Sequence, residues 1–215
     1  FQRKDEILSK STIKAVAVIT NAEIIKNRIS QFYSVLKDRI YVISQQPSIG
    51  ISKFNKINET LLEKFKKLYS LPENYIFYPA MYFPHKNHKY IIDTIRILKS
   101  DYKINLSAVF CGSDKGYLKK IKRYVNEKNL NENIIFLDFV ESQYLPYIYL
   151  NSLALTMPTF SGPTNIPPWE AFKMEVPVFY SNIHNIKEVY KDAVYYIDPF
   201  DPYTMAKGIR EISND

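Results

Sequence analysis

The sequence predicts an α/β fold: a doubly wound parallel sheet covered by helices on both faces. Three observations predict it. Short apolar runs rich in β-branched and aromatic residues recur along the chain, helical periodicity fills the segments between them, and the connections are short. No stretch approaches the roughly 20 apolar residues that a membrane span needs, and no internal repeat or low-complexity tract breaks the alternation.

Taken in order, Ala15–Ile19 (AVAVI) reads as a strand buried on both faces. It runs into Thr20-Asn21-Ala22-Glu23, a capping-box pattern that opens a helix with Ile25, Ile29, Phe32 and Leu36 on one face. Arg39–Ser44 is a second strand, ended by Gln45-Gln46-Pro47. The stretch to Asn58 is polar and without pattern, hence a linker. A helix over Thr60–Tyr69 follows, with Leu61, Leu62, Phe65 and Leu68 on one face. From Pro72 the pattern becomes regular. Strands are predicted at Tyr75–Tyr78, Leu106–Cys111, Ile134–Leu137, Ala154–Met157, Val178–Tyr180 and Ala193–Ile197. Helices are predicted near His88–Lys99, Tyr117–Lys128, Leu145–Leu150, Pro168–Lys173, Ile186–Tyr190 and Pro202–Ile212. The last has a clear start, Asp201 as N-cap with Pro202 at the first helical position.

Composition narrows the function classes. Apolar residues make up 46% and charged residues 24% of the 215, a globular balance that excludes intrinsic disorder. The first residues, FQRKDEILSK, contain no signal-peptide run and no initiator Met, so the sequence reads as a piece of a longer protein. A single cysteine excludes an internal disulfide framework and a multi-Cys zinc site, and fits a reducing cytoplasm. The net charge of +7 points to an anionic partner, whether nucleic acid, phosphorylated small molecule or anionic lipid. The lysines are spread over helices (Lys119, Lys120, Lys122, with Arg123) instead of forming one basic arm, and no stacking motif accompanies them, which disfavours nucleic acid. Neither GxGxxG nor GxxxxGK[ST] occurs.

In a parallel sheet, ligands bind where the strands end and the next helix presents unpaired N–H groups. Three loops therefore carry the candidate chemistry. Pro79–His88 places Lys86 beside a helix start, suited to phosphate, with a solvated surface lysine as the alternative. Its His85 and His88 have the spacing of a metal pair on one helical turn, but no third ligand of matching type is near. In the second loop, Gly112 and Ser113 follow a buried strand. Gly112 allows close approach of a ligand or simply makes the turn, and Cys111 reads as a small buried hydrophobe with no histidine to activate it. The richest loop is Met157–Phe172 (MPTFSGPTNIPPWEAF), where the N–H groups of Thr164, Asn165 and Ile166 can converge on an anion. Glu170, placed in the first helical turn, either complements the helix dipole or accepts hydrogen bonds from a vicinal diol such as a ribose.

Together the segments YPAMYFPHKNH (Tyr78–His88), CGS (Cys111–Ser113), FLDFV (Phe136–Val140), LPYIY (Leu145–Tyr149), MPTFSGPTNIPPWEAF, PVFYSNIHNIKEV (Pro177–Val189) and the DP-F-DP run (Asp198–Pro202) resemble family four of the retaining nucleotide-sugar glycosyltransferases. The resemblance covers roughly Tyr75–Asp215 and implies one half of the B-type fold of two Rossmann-like domains. It implies residues 1–46 as the end of the N-terminal acceptor domain, 47–71 as linker and connecting helix, and 72–215 as the donor-binding domain. Lys86 matches the lysine that contacts the donor diphosphate. Glu170 matches the second glutamate of the paired-glutamate motif, which binds the ribose hydroxyls. The first glutamate is replaced by a GPTN variant, which leaves Gly162, Thr164 and Asn165 to contact sugar or phosphate. Met81 stands where arginine or glutamine is usual, and Asp138 where glycine is common. The backbone of Phe139 and Val140 is the implied base-recognition edge.

The expectation is thus a hexosyl-type retaining glycosyltransferase acting in surface polysaccharide synthesis, such as lipopolysaccharide or capsule. Lys86 and Glu170 would be its catalytic residues, and Gly112, Ser113, Phe139, Val140, Gly162, Thr164, Asn165 and Ile166 would bind the donor. No metal and no cofactor are expected beyond the nucleotide sugar as substrate. The glycan or lipid-linked acceptor is expected on the missing domain, so this stretch alone binds donor without transferring sugar. The expected location is cytoplasmic, with peripheral contact at the inner face of the membrane. The alternative is a non-catalytic, glycosyltransferase-like nucleotide-binding module.

Overall fold

The computed structural model describes residues 2–162, 165–183 and 186–213. The chain divides into two compact units, Phe1–Gln46 and Pro47–Asp215.

The first unit holds helix α1 (Gln2–Lys14), strand β1 (Val18–Thr20), helix α2 (Glu23–Tyr33), a 3-10 turn at Lys37–Arg39 and strand β2 (Ile40–Val42). β1 and β2 pair in parallel, Val18 opposite Ile40. The Arg39 guanidinium donates to the Ala15 carbonyl. Several expectations are corrected here. α1 has no counterpart in the sequence reading. Thr20 ends β1 and caps nothing: α2 starts at Glu23 behind Ala22, without a side-chain cap. The AVAVI run is not buried on both faces, since Val16 is 93% and Ile19 68% exposed. α2 ends before Leu36, and Phe32 and Leu36 are both exposed. A two-stranded patch has too little surface to cover both faces of its strands.

The second unit is built on helices α3 (Ile49–Ser52) and α4 (Glu59–Tyr69), then β3 (Tyr75–Pro79), α5 (His88–Ser100), β4 (Ser107–Cys111), α6 (Leu118–Glu127) and β5 (Ile134–Leu137). It continues through α7 (Leu145–Leu150), β6 (Ala154–Met157), α8 (Ile166–Lys173), β7 (Val178–Ser181), α9 (Lys187–Tyr190), β8 (Tyr195–Ile197) and α10 (Pro202–Ile212). The segment read as a linker carries α3, whose Ile51 is fully buried in the main core. On α4, Phe65 is buried and Asn58 caps the start by accepting from the Leu61 N–H at 3.1 Å, while Leu68 faces outward.

The sheet is six-stranded and parallel, in the order β5-β4-β3-β6-β7-β8. Counted from β3 this is the 3-2-1-4-5-6 order of a Rossmann-like sheet. The predicted alternation from Tyr75 onward is present, because strands covered on both faces read as continuous apolar runs. Phe77, Val109, Leu155 and Phe179 at its centre are wholly buried. α10 begins as predicted, with Asp201 accepting from the Tyr203 N–H at 3.0 Å. Left-handed backbone is carried mainly by residues other than glycine: Ser34, Ser70, Asn87, Lys103, Asn129, Glu175 and Lys191 all have positive φ.

His88 opens α5 inside this core and is 1% exposed. Its ring lies 4.8 Å from those of Tyr78 and Tyr82 and 5.2 Å from that of Phe110. The Ala80 carbonyl is near, but neither ring nitrogen completes a hydrogen bond. Burial, helped by the Lys86 charge, pulls its pKa down to about 4, so the ring is neutral at physiological pH. Its partner in the possible metal pair, His85, is exposed and stacks on Phe83. Among the described residues no group of three or more His, Cys, Asp and Glu could hold a metal ion.

Two outcomes follow. The unfolded chain takes up a proton at His88 near the ordinary histidine pKa and the folded chain only near 4, so stability falls as pH drops through that window. His88→Phe should remove up to about 3 kcal/mol of that loss, read by denaturant melts at pH 7 and pH 4.5. Gly208 on α10 packs on β7 so tightly that a β-carbon would stand 2.6 Å from Phe179 Cε1. Gly208→Ala should therefore destabilise by about 1–3 kcal/mol despite its better helix propensity, measured the same way.

Candidate functional site

β3 and β6 are neighbours, and from them the chain winds in opposite directions across the sheet. This is the switch point at which a parallel sheet opens a crevice for ligands. The loops leaving the two strands are fastened to each other there. The His85 carbonyl accepts the Phe160 N–H at 2.9 Å. The buried Thr159 hydroxyl lies 3.2 Å from the same carbonyl and 2.7 Å from that of Ser161, its single proton shared between them.

Lys86 ends a 3-10 turn, Pro84–Lys86, as a half-buried side chain. Its carbonyl accepts the hydroxyl of fully buried Tyr78 at 2.6 Å. Its ammonium donates to Asn165 Oδ1 at 3.3 Å, across the crevice. Burial lowers its pKa below the ordinary lysine value.

Asn165 stands at the N-cap of α8. Its Nδ2 donates to the Gly162 carbonyl at 2.8 Å and meets the Tyr180 hydroxyl, which itself donates to Gly162 O at 2.7 Å. The Tyr190 hydroxyl donates to the Asn165 carbonyl at 3.3 Å. Gly162 holds φ +100°, a conformation that side-chain-bearing residues rarely adopt. The amide group of Asn165 is thus turned so that its oxygen faces Lys86. Of the three N–H groups expected to converge on an anion, that of Thr164 lies outside the described residues, as does Pro163. The Asn165 N–H is 3.5 Å from the Tyr190 hydroxyl. Ile166, half exposed, is the one donor in the first three helical positions, because Pro167 and Pro168 have no N–H.

Glu170 corrects one expectation. α8 starts at Ile166, so Glu170 belongs to the second turn, where the macrodipole acts weakly. It is 5% exposed, and its carboxylate has protein partners. Oε2 accepts the Tyr149 hydroxyl at 2.7 Å, and Oε1 lies 3.4 Å from the Ser48 N–H. Burial, with the adjoining Glu170 carboxylate, holds the Tyr149 phenol well above its usual pKa. Each carboxylate oxygen keeps lone-pair capacity for a further donor.

The remaining residues fall on the β4 and β5 loops. A β-carbon on Gly112 would stand 2.4 Å from the Ala80 carbonyl oxygen, so glycine here is required by close backbone packing. Beyond it, Tyr82 N–H donates to the Ser113 carbonyl at 3.1 Å, and the Ser113 side chain is exposed. Phe139 is 78% exposed after β5, and Val140 packs against the core. The Cys111 thiol, pushed up to about 11 mainly by burial, stays protonated and unreactive. Trp169 packs against Phe172 and Tyr190, with ring centroids 5.8 and 5.7 Å away.

Tyr149, Tyr180, Tyr190 and Ser48 were not legible as site residues. The only signal was the tyrosine count, 18 of 215, and that does not say which hydroxyls meet which loop.

Residues 60–215 match the family described as Glycosyl transferases group 1. The O-antigen chain mannosyltransferase RfbU of Salmonella typhimurium is 26% identical over 96% of this chain and 53% of its own length. The capsular polysaccharide biosynthesis glycosyltransferase CapH of Staphylococcus aureus is 27% identical over 79% of the chain and 50% of its own length. The chain therefore spans about half the length of these curated relatives. Among solved structures, Anabaena Alr3699/HepE in complex with UDP-glucose superposes with a TM-score of 0.82 at 16% identity, covering all of this chain and 58% of that one. That match shows the B-type glycosyltransferase fold. The chain belongs to the glycosyl transferases group 1 family.

Proposed function

We propose that residues 72–215 bind the nucleotide diphosphate sugar of a retaining, hexosyl-type glycosyltransferase. In this reading residues 1–46 end its acceptor domain and residues 47–71 connect the two. The whole protein would transfer the sugar to a glycan or lipid-linked acceptor in surface polysaccharide synthesis. Family membership and the O-antigen and capsule relatives support the reading, as do the UDP and UDP-glucose complexes of Anabaena Alr3699/HepE. The observation that carries it is the Lys86 ammonium, half-buried at the switch point and facing the start of α8.

In the reaction the anomeric C–O bond breaks and its electron pair goes to the departing diphosphate. The acceptor oxygen forms the new bond, and its proton passes to the departing phosphate oxygen, the nearest base when both groups occupy one face. Lys86 and the Ile166 N–H stabilise the growing diphosphate charge from positions fixed before the reaction. So acidic a leaving group needs little help from a general acid. Glu170 accepts the ribose hydroxyls with its remaining lone pairs. Gly162 and Asn165 contact sugar or phosphate, Gly112 and Ser113 the phosphates, and Phe139 and Val140 the base. No cofactor beyond the donor belongs to the proposal. The charge of +7 supports peripheral contact with an anionic membrane on the cytoplasmic side. No helix among the described residues is long and apolar enough to cross a membrane.

The absence of a carboxylate at Gly162 and of a polar side chain at Met81 favours the second reading, a non-catalytic nucleotide-binding module. Turnover by the whole protein separates the two.

Calorimetry with UDP, GDP, ADP and dTDP tests the donor site. One diphosphate should bind. Lys86→Ala and Glu170→Gln should each weaken it about tenfold or more, roughly 1.4 kcal/mol. Binding to none, or binding indifferent to Lys86→Ala, would sink the proposal. Because burial lowers the Lys86 pKa, its positive charge is lost as pH rises at a lower pH than for an exposed lysine. Affinity for the diphosphate should fall over that alkaline range, and the Lys86→Ala protein should not show this dependence.

A further inference from the structure

A second concavity lies at the carboxyl ends of β7 and β8, with a cavity volume of about 610 Å³, within the range of small-molecule sites. No part of the proposed donor chemistry uses it. Its rim carries two aromatic rings that meet across 40 positions of sequence. Phe160 is 41% and Phe200 81% exposed, their centroids are 5.1 Å apart, and their planes are inclined by 31°. Tyr196, Ile183, Asp198 and Asn182 line the same concavity.

An aromatic ring that stays 81% exposed forgoes most of the burial energy such a side chain supplies, so packing does not explain Phe200. The rings are nevertheless held in place by backbone bonds. The Phe160 N–H is fixed to the His85 carbonyl. The Phe200 N–H donates to Asp198 Oδ1 at 2.9 Å. The turn that carries Phe200 is tied down by Asn87 Nδ2 donating to the Pro199 carbonyl at 2.9 Å. The Tyr90 hydroxyl donates to the Asp201 carbonyl at 3.0 Å. Ordering has thus been accomplished before any ligand arrives. The polar groups remain available: among the described residues, Asp198 Oδ2 and the Asn182 carboxamide have no protein hydrogen bond.

We infer that this concavity is a saccharide-binding subsite that takes one pyranose ring. A pyranose has one face of polarised C–H groups, which suits the negative faces of Phe160 and Phe200. Its edge is ringed by hydroxyls, which suit an acceptor carboxylate and a carboxamide that both donates and accepts. A nucleotide or phosphate is disfavoured, since among the described residues Asp198 is the charged group at the rim and no lysine or arginine lines it. The subsite does not rest on the donor reading, and the two are tested by different ligands.

The test is saturation-transfer NMR on the whole chain with methyl α-D-mannopyranoside and methyl α-D-glucopyranoside, with glycerol as a ringless polyol. Transfer to the ring C–H protons of at least one glycoside is expected, at millimolar concentrations, and none to glycerol. Phe200→Ala and Phe200→Leu should each reduce it fivefold or more, the second showing that an aromatic face and not bulk is required. Asp198→Asn should weaken it a few-fold. Affinity for the nucleoside diphosphate should be unchanged in all three variants. No transfer to either glycoside would overturn the subsite. So would equal transfer in the Phe200 variants, or transfer to glycerol as strong as to the glycosides.

Discussion

One backbone carbonyl, that of His85, holds together the two loops on which the candidate site depends. By taking the Phe160 N–H and sharing the Thr159 hydroxyl, it fixes the loop after β3 against the loop after β6 where the sheet would otherwise part. Lys86 follows directly on that residue and can therefore reach Asn165 across the gap. The fully buried Tyr78 hydroxyl holds the next carbonyl, so the lysine's backbone has little freedom left. A charge placed in this way costs its desolvation once, on folding, and is then ready for an anion without further ordering.

The acidic and basic groups of the site, buried Glu170 and half-buried Lys86, are treated differently. Lys86 has a neutral amide oxygen as its partner, which leaves its charge uncompensated and available. Glu170 is met by a phenol and a backbone N–H, neutral donors that stabilise the carboxylate without cancelling its charge. An ion pair between them would have removed both from any ligand.

The repeating part of the fold was legible because a strand buried on both faces must be apolar at every position, and few other elements read that way. The same rule misled at AVAVI, where β1 has a single strand neighbour and Ile19 stands exposed. Thr20 had the composition of a cap, yet strand pairing with Val42 claimed its backbone first. Lys86, Asn165 and Gly162 could be singled out because loop chemistry at strand ends is local. The supports of Glu170 could not, since Ser48 lies 122 positions away in sequence. The Phe160–Phe200 pair was hidden for the same reason, each ring looking like an ordinary loop residue until the turn after β8 is folded back.

This chain has five glycines, and among the described residues Ser, Asn, Lys and Glu side chains occupy seven left-handed or related positions that glycine would fill without strain. Each such residue costs roughly 1 kcal/mol against glycine, less for asparagine. The usual advice to replace glycine for rigidity is therefore inverted here. Lys103, Glu175 and Lys191, on connections away from the switch point, form a reserve of thermal tolerance that can be drawn on by inserting glycine, leaving the ligand-facing loops untouched.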